Sequence, residues 1–145
     1  MVAVQTTYTS RTVPLALGQF DNMELKNTIT RTQEDATAVG YGRAMFRGTG
    51  EFGVTATPSA FLEGITVRTL HTEASTDVFA QRESISLLTM GVIVVAASVA
   101  VTRGEQAYVT AAGLWTNVPT ANTIVTGAKF DATVAAAGLV PLRVK

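Results

Sequence analysis

The chain has no cysteine, which removes disulfide bridges, thiolate zinc sites and thiol nucleophiles in one step. Histidine is nearly as scarce, so His71 alone would have to serve every histidine-dependent catalytic or metal-binding arrangement. Charge is thin as well. Only 15% of the residues are charged, against roughly one quarter in ordinary soluble proteins. Eleven cations balance eleven anions, so no global field draws the chain toward nucleic acid or an anionic membrane. A neutral, weakly charged surface is a poor one for a free monomer at high concentration, and is better suited to a chain covered by partners in its working state. Met1 to Ser10 lack the basic stretch and apolar run of a secretory signal, so export is not expected.

Long apolar runs are also missing, with one stretch to weigh. Ser84 to Thr102 is uncharged over 19 residues, the length of a membrane span. Gly91 interrupts it, and Ser84, Ser86, Thr89, Ser98 and Thr102 dilute it. Two buried strands joined near Thr89 to Gly91 are the expectation, with no membrane partner.

What the chain does contain is β-branched side chains. Threonine occurs 23 times and valine 18 times, spread along almost the whole length. Such side chains restrict their own rotamers and pack well on a pleated surface. No segment shows a sustained 3.6-residue period with charges confined to one face, so the reading is all-β. At 145 residues the chain suits a single domain: residues 1–10 as an extended arm and 11–145 as the β-rich body.

Several segments stand out. Met23 to Thr32 alternates imperfectly, and Gly64 to Leu70 alternates cleanly, with Ile65 and Val67 opposite Thr66 and Arg68. Val92 to Ala96 reads as a buried strand. Val99 and Val101 read as a pair with Gln106 to Val109 about the Arg103-Gly104-Glu105 turn. Gly138 to Val144 closes the chain as a strand in which Pro141 asks for an edge, or for a slot where its missing donor goes unnoticed.

Candidate chemistry is sparse. His71, Glu73 and Asp77 supply too few arranged donors for zinc or magnesium. The serines at 59, 75, 84, 86 and 98 lack a nucleophile elbow. Glu34-Asp35, and Asp77 with Glu83, read as solvated or ion-paired carboxylates. The glycines at 40, 42, 48, 50 and 53 do not form a phosphate loop, because Gly-x4-Gly-Lys-Ser/Thr is absent. No catalytic residue, cofactor or metal is therefore expected. Arg43 and Arg47 beside Tyr41 and Phe46 could stack on bases, but arginine and aromatic residues equally enrich protein interfaces. The interface candidates are Tyr8, Tyr41, Arg43, Phe46, Arg47, His71 and Trp115, the last being a core or interface anchor.

Taken in order, several segments resemble the structural cement, or head decoration, proteins of tailed bacteriophages. They are Gly18-Gln-Phe-Asp21, Val39-Gly-Tyr-Gly-Arg-Ala-Met-Phe-Arg-Gly48, Gly64-Ile-Thr-Val-Arg-Thr-Leu-His-Thr-Glu73, Ser84 to Val95, Val101 to Val109, Ile124 to Phe130 and Ala136 to Val140. Where the family often has an aromatic residue after the glycine, this chain has Val92 and Ile93. The resemblance implies a compact β-sandwich or jelly-roll-like barrel with no catalytic residues. It implies binding to the outside of an icosahedral head, where major capsid subunits meet and other copies of the chain sit nearby. The rival expectations are a virion-associated receptor- or carbohydrate-binding β domain, recognisable by an exposed trough near Tyr41, Tyr108 or Trp115, and a small hydrolase or lyase centred on His71.

Overall fold

A computed structural model describes residues 15–69 and 78–145, so the arm, Tyr8, His71, Glu73 and Asp77 lie outside the described residues. The strands in chain order are β1 (Asn27–Gln33), β2 (Val39–Gly40), β3 (Ala44–Arg47), β4 (Gly53–Thr55), β5 (Leu62–Thr66) and β6 (Val78–Phe79). They continue with β7 (Ser84–Ala97), β8 (Gln106–Val109), β9 (Trp115–Thr116), β10 (Thr123–Phe130) and β11 (Gly138–Val144). The fold is all-β, as expected, and its hydrogen bonding closes on itself. One five-stranded circuit runs β1-β4-β3-β5-β7 and returns to β1, and a second runs β7-β11-β10-β8-β9 and returns to β7. The circuits close through short contacts, with Thr32 and Gln33 registering between β1 and β4 and Ala97 with Trp115 between β7 and β9. β2 and β6 form a separate ribbon.

β7 belongs to both circuits, and this corrects the expected pair of strands in Ser84 to Thr102. The chain runs through as one 14-residue strand that changes neighbours in the middle. Its first half pairs with β1 and β5, its second half with β11. Thr28 registers with Leu88 and Asn27 with Met90, so Thr89 is an extra residue bulged out of the ladder. Its hydroxyl is held by Asn27, accepting from Nδ2 at 3.0 Å and donating to the carbonyl oxygen at 3.1 Å. Gly91 follows at φ +132°, outside the range that side chains readily allow. A one-residue bulge inverts the in-out parity of a strand. Accordingly Ile85 and Leu87 enter one core while Ile93, Val95 and Ala97 enter the other.

The two cores are unequal. The smaller holds Tyr41, Met45, Val54, Phe79, Ile85 and Leu87. The larger includes Phe46, Ile65, Trp115, Phe130 and Leu142. Pro141 is not at a sheet edge but in β11, between β7 and β10. Its partner Val94 directs both backbone groups to Gly18 and Gln19 instead, and the β10 ladder stops one residue away at Leu142. The slot needs no donor from proline, while the Pro141 carbonyl accepts from the Asp131 N–H at 2.9 Å. The expected pairing of Val101 with the 106–109 strand is also revised, because Val101 bridges Val134 while β8 pairs with β10 and β9.

Candidate interface

Three of the aromatic and apolar anchors expected at an interface lie inside the chain. Phe46 and Trp115 are 0% and 1% exposed. The Trp115 indole N–H donates to the Gly42 carbonyl at 2.8 Å, tying β9 to the turn before β3. Tyr41 meets Phe79 edge-on, with ring centroids 5.4 Å apart, and its hydroxyl donates to the Thr69 carbonyl. The Arg68 guanidinium lies over the Tyr41 ring. These are roles of the chain's own core: all three rings are buried, and the polar atoms of Tyr41 and Trp115 are paired, as burial demands. Tyr41, Phe46 and Trp115 thus pack inside the chain, Trp115 in the core role that was one of its two expected readings.

The arginines divide. Arg43 is half-buried, and its Nη1 donates to the Ala112 carbonyl, fastening the approach to β3 against the turn between β8 and β9. Arg47 is exposed at the end of β3, where its backbone N–H donates to the Phe61 carbonyl at 2.9 Å. Of the seven candidates, Arg47 is the one whose side chain the described structure leaves exposed.

The side chains that do face outward are others. Met23 is 99% exposed, Leu25 82%, Phe61 67% and Phe52 60%. Ile124 follows at 54%. Apolar side chains this large and this open mark contact surfaces when they gather in one place. Met23 and Leu25 had a signal in the sequence: they alternate with Asn22, Glu24 and Lys26 in a turn-forming stretch, where no neighbouring strand is bound to cover them. Phe61 and Ile124 had none, since their neighbours read equally well as core.

Glu34 and Asp35, adjacent in sequence, serve two different loops rather than one substrate. The Glu34 carboxylate accepts from the backbone N–H groups of Thr49 and Gly50, both at 2.8 Å, and from the Thr49 hydroxyl. Asp35 accepts from the Thr55 hydroxyl at 2.6 Å and the Ala56 N–H at 2.7 Å. The glycines at 48, 50 and 53 leave room for the Glu34 side chain, and a Cβ on any of them would collide with it. The Thr49 and Gly50 N–H groups hold the Glu34 carboxyl below its ordinary value. Glu105 is lowered in the same way, first by the Thr102 N–H and then by the Asn117 amide. A carboxyl depressed in the folded state binds its proton more readily when unfolded. Its stabilisation is thus complete above the ordinary carboxylate value and is lost as pH falls through the folded one. Melting temperature is expected to fall as pH is lowered from about 5.5 to about 3, and E34Q, which is less stable at neutral pH, should flatten that fall. An unchanged slope in a differential-scanning pH series would contradict this role for Glu34.

Among the described residues no three histidine, aspartate or glutamate side chains gather where they could hold a metal ion. No helix among them is long and apolar enough to cross a membrane.

Comparison with known proteins gives a family assignment. The sequence profile described as "Structural cement protein (E217 gp24/Pam3 gp6)" matches residues 4–145. The chain belongs to the phage structural cement protein family. In fold, this cement protein is similar to a chain in a structure of the capsid of Myoviridae phage XM1. The TM-score is 0.73 at 16% identity, over 98% of this chain and 97% of that one. It is also similar to the head fiber gp8.5 N base of bacteriophage phi29, with a TM-score of 0.50 at 10% identity, over 83% of this chain and 95% of that one. At these identities the likeness is one of fold. No curated protein sequence matches the cement protein. It is a phage structural protein.

Proposed function

We propose that this protein binds the outer surface of an icosahedral phage head and clamps adjacent major capsid subunits, with no chemical step. The observation that carries the reading is the family match across residues 4–145. The described structure supports it with two closed β circuits, a rigid body suited to transmitting load, and exposed apolar side chains at several points of its surface. The sandwich or jelly-roll-like description belongs with this proposal, as does the division into an arm at residues 1–10 and a body at 11–145. The chain would reach the head from the host cytoplasm during assembly.

The physical case for cementing is additive. A shell offers many identical sites, so a modest interface repeated at each raises the barrier to subunit separation throughout the shell. Apolar anchors supply the attraction and rim charges set orientation. The sugar-binding rival loses ground because Tyr41 and Trp115, two of the three aromatics expected in its trough, are buried.

Particles assembled without this protein should release DNA at a lower temperature than complete particles, and added protein should restore the difference. Dye-accessible DNA measured during a thermal ramp reads this directly. Equal release temperatures in matched preparations would remove the clamping function and leave a decorating one.

A further inference from the structure

The arginines divide by what their side chains touch. Eight occur in the chain, seven of them among the described residues. Five of those seven engage the chain itself: Arg31 pairs with Glu63, Arg43 donates to the Ala112 carbonyl, Arg68 covers the Tyr41 ring, Arg103 faces Asp131, and Arg143 spans Glu24 and Asp131. Arg47 and Arg82 are exposed, and neither guanidinium has a partner among the described residues. These two line one cavity of about 650 Å³, together with Glu34, Asp35 and Gln81. Both carboxylates are already engaged, since each oxygen of Glu34 and of Asp35 accepts from the chain's own loops. Arg82 is also strained. Its φ is +66°, a left-handed value that glycine or asparagine adopts more readily than arginine. The turn is held by the Arg82 N–H on the Gln33 carbonyl at 2.7 Å, the Glu83 N–H on the Ala80 carbonyl at 3.2 Å and the Ala80 N–H on the Glu83 carboxylate at 2.7 Å. None of these bonds uses the Arg82 side chain. Backbone strain at a residue whose side chain is idle within the fold is a mark of function.

We propose that this cavity docks a carboxylate-bearing surface of a major capsid subunit, Arg47 and Arg82 each taking an aspartate or glutamate side chain of that partner. This docking rests on the head-binding function and assigns it a contact. A guanidinium matches a carboxylate through two parallel hydrogen bonds, a geometry that lysine does not reproduce. Two exposed guanidinium groups on separate turns do not enclose a small free anion, whereas a protein surface laid over them excludes water and strengthens the pairing. The turns are fixed in advance. Arg47 ends β3 at the turn that Glu34 holds, and the Gln81 amide donates to the Glu34 carbonyl at 2.9 Å, so both turns are fastened to the stretch Gln33–Glu34. Little backbone freedom is therefore lost on docking. Phe52, exposed on the turn between β3 and β4, adds an aromatic neighbour of the kind that enriches interfaces. Because the formal net charge is zero, the attraction is carried by these local pairs rather than by a field of the whole protein.

Co-pelleting of the full chain with phage heads assembled without it tests this contact, with R47E, R82E and R82G as separate variants and thermal melting as the check on folding. R47E and R82E should each bind roughly tenfold more weakly than the wild type, with melting temperatures within about 2 °C of it. R82G separates docking from folding. Glycine relieves the strain at this φ, so its melting temperature should stay within about 2 °C of the wild type or exceed it, while binding falls by about threefold or more. Raising the salt from about 0.1 M to about 0.5 M should weaken the wild type more than a double variant carrying R47E and R82E. Variants that bind heads like the wild type, or an R82G protein melting more than about 4 °C lower, would overturn the proposal and leave head binding standing. A wild type that does not pellet with the heads would overturn the head-binding function itself, and this contact with it.

Discussion

Replacing Gly91 with valine is expected to destabilise the protein by on the order of 3 kcal/mol, from backbone strain and overpacking together. Gly91 sits at φ +132°, and a Cβ there would lie 3.0 Å from the Lys26 Cβ and 3.3 Å from a Leu88 methyl. A β-branched residue is the worst fit to such a backbone. The position also matters more than most, because β7 is the one strand both circuits share and the inversion at Thr89–Gly91 directs its side chains into two different cores. Relaxing the strain by straightening β7 would turn Ile93 and Val95 away from the larger core. The isolated protein should melt roughly 6–12 °C lower, by the scaling of about 2–4 °C per kcal/mol for chains of this size. G138A makes the control. That glycine has open space where its Cβ would go and no positive φ, and its substitution should change stability by no more than about 0.5 kcal/mol. Similar melting for the two variants would contradict the assignment of Gly91 as the pivot of β7.

Replacing Trp115 with alanine should have an effect of similar or larger size, about 3–5 kcal/mol, as for other large-to-small changes in a core. Trp115 is the largest fully buried side chain of the described residues, and its strand β9 is only two residues long. So short a strand contributes few ladder bonds, and the indole provides much of what holds it. Removing the ring opens a cavity in the larger core and also leaves the Gly42 carbonyl without its donor, a penalty in the range of about 1–3 kcal/mol when water cannot replace it. W115F separates the two effects. It keeps most of the volume and loses the N–H, so it should cost about 1–2 kcal/mol. Since a domain is held by about 5–15 kcal/mol in all, the alanine variant is expected to be partly unfolded near physiological temperature. A denaturation midpoint within error of the wild type would mean that Trp115 is not the anchor of β9.

The all-β class was legible because threonine and valine dominate, and the strands at 106–109 and 138–144 were marked by alternation or by β-branched runs. The course of β7 was not legible. Alternation predicts a break where glycine and threonine interrupt an apolar run, yet Thr89 is absorbed as a bulge because Asn27 holds its hydroxyl, a contact 62 residues away in the chain. Circuit closure was hidden for the same reason, since it depends on long-range pairings that leave no local pattern. For the large aromatics, residue type left two readings open. Tyr41, Phe46 and Trp115 are typical interface residues, but typical core residues too, and only the partners at Phe79, Gly42 and Thr69 decide between the two. Glu34 was readable as a surface carboxylate, though not as the group around which the turn between β3 and β4 is built.

The measurement that bears most directly on the clamping function is an electron cryomicroscopy reconstruction of complete particles at side-chain detail, with this chain placed in the density. Ordered copies are expected on the outer face of the head, each touching two neighbouring major capsid subunits, with Tyr41, Phe46 and Trp115 still inside the β body. Copies confined to a tail or fibre tip, or seated within a single capsid subunit without reaching a second, would contradict it.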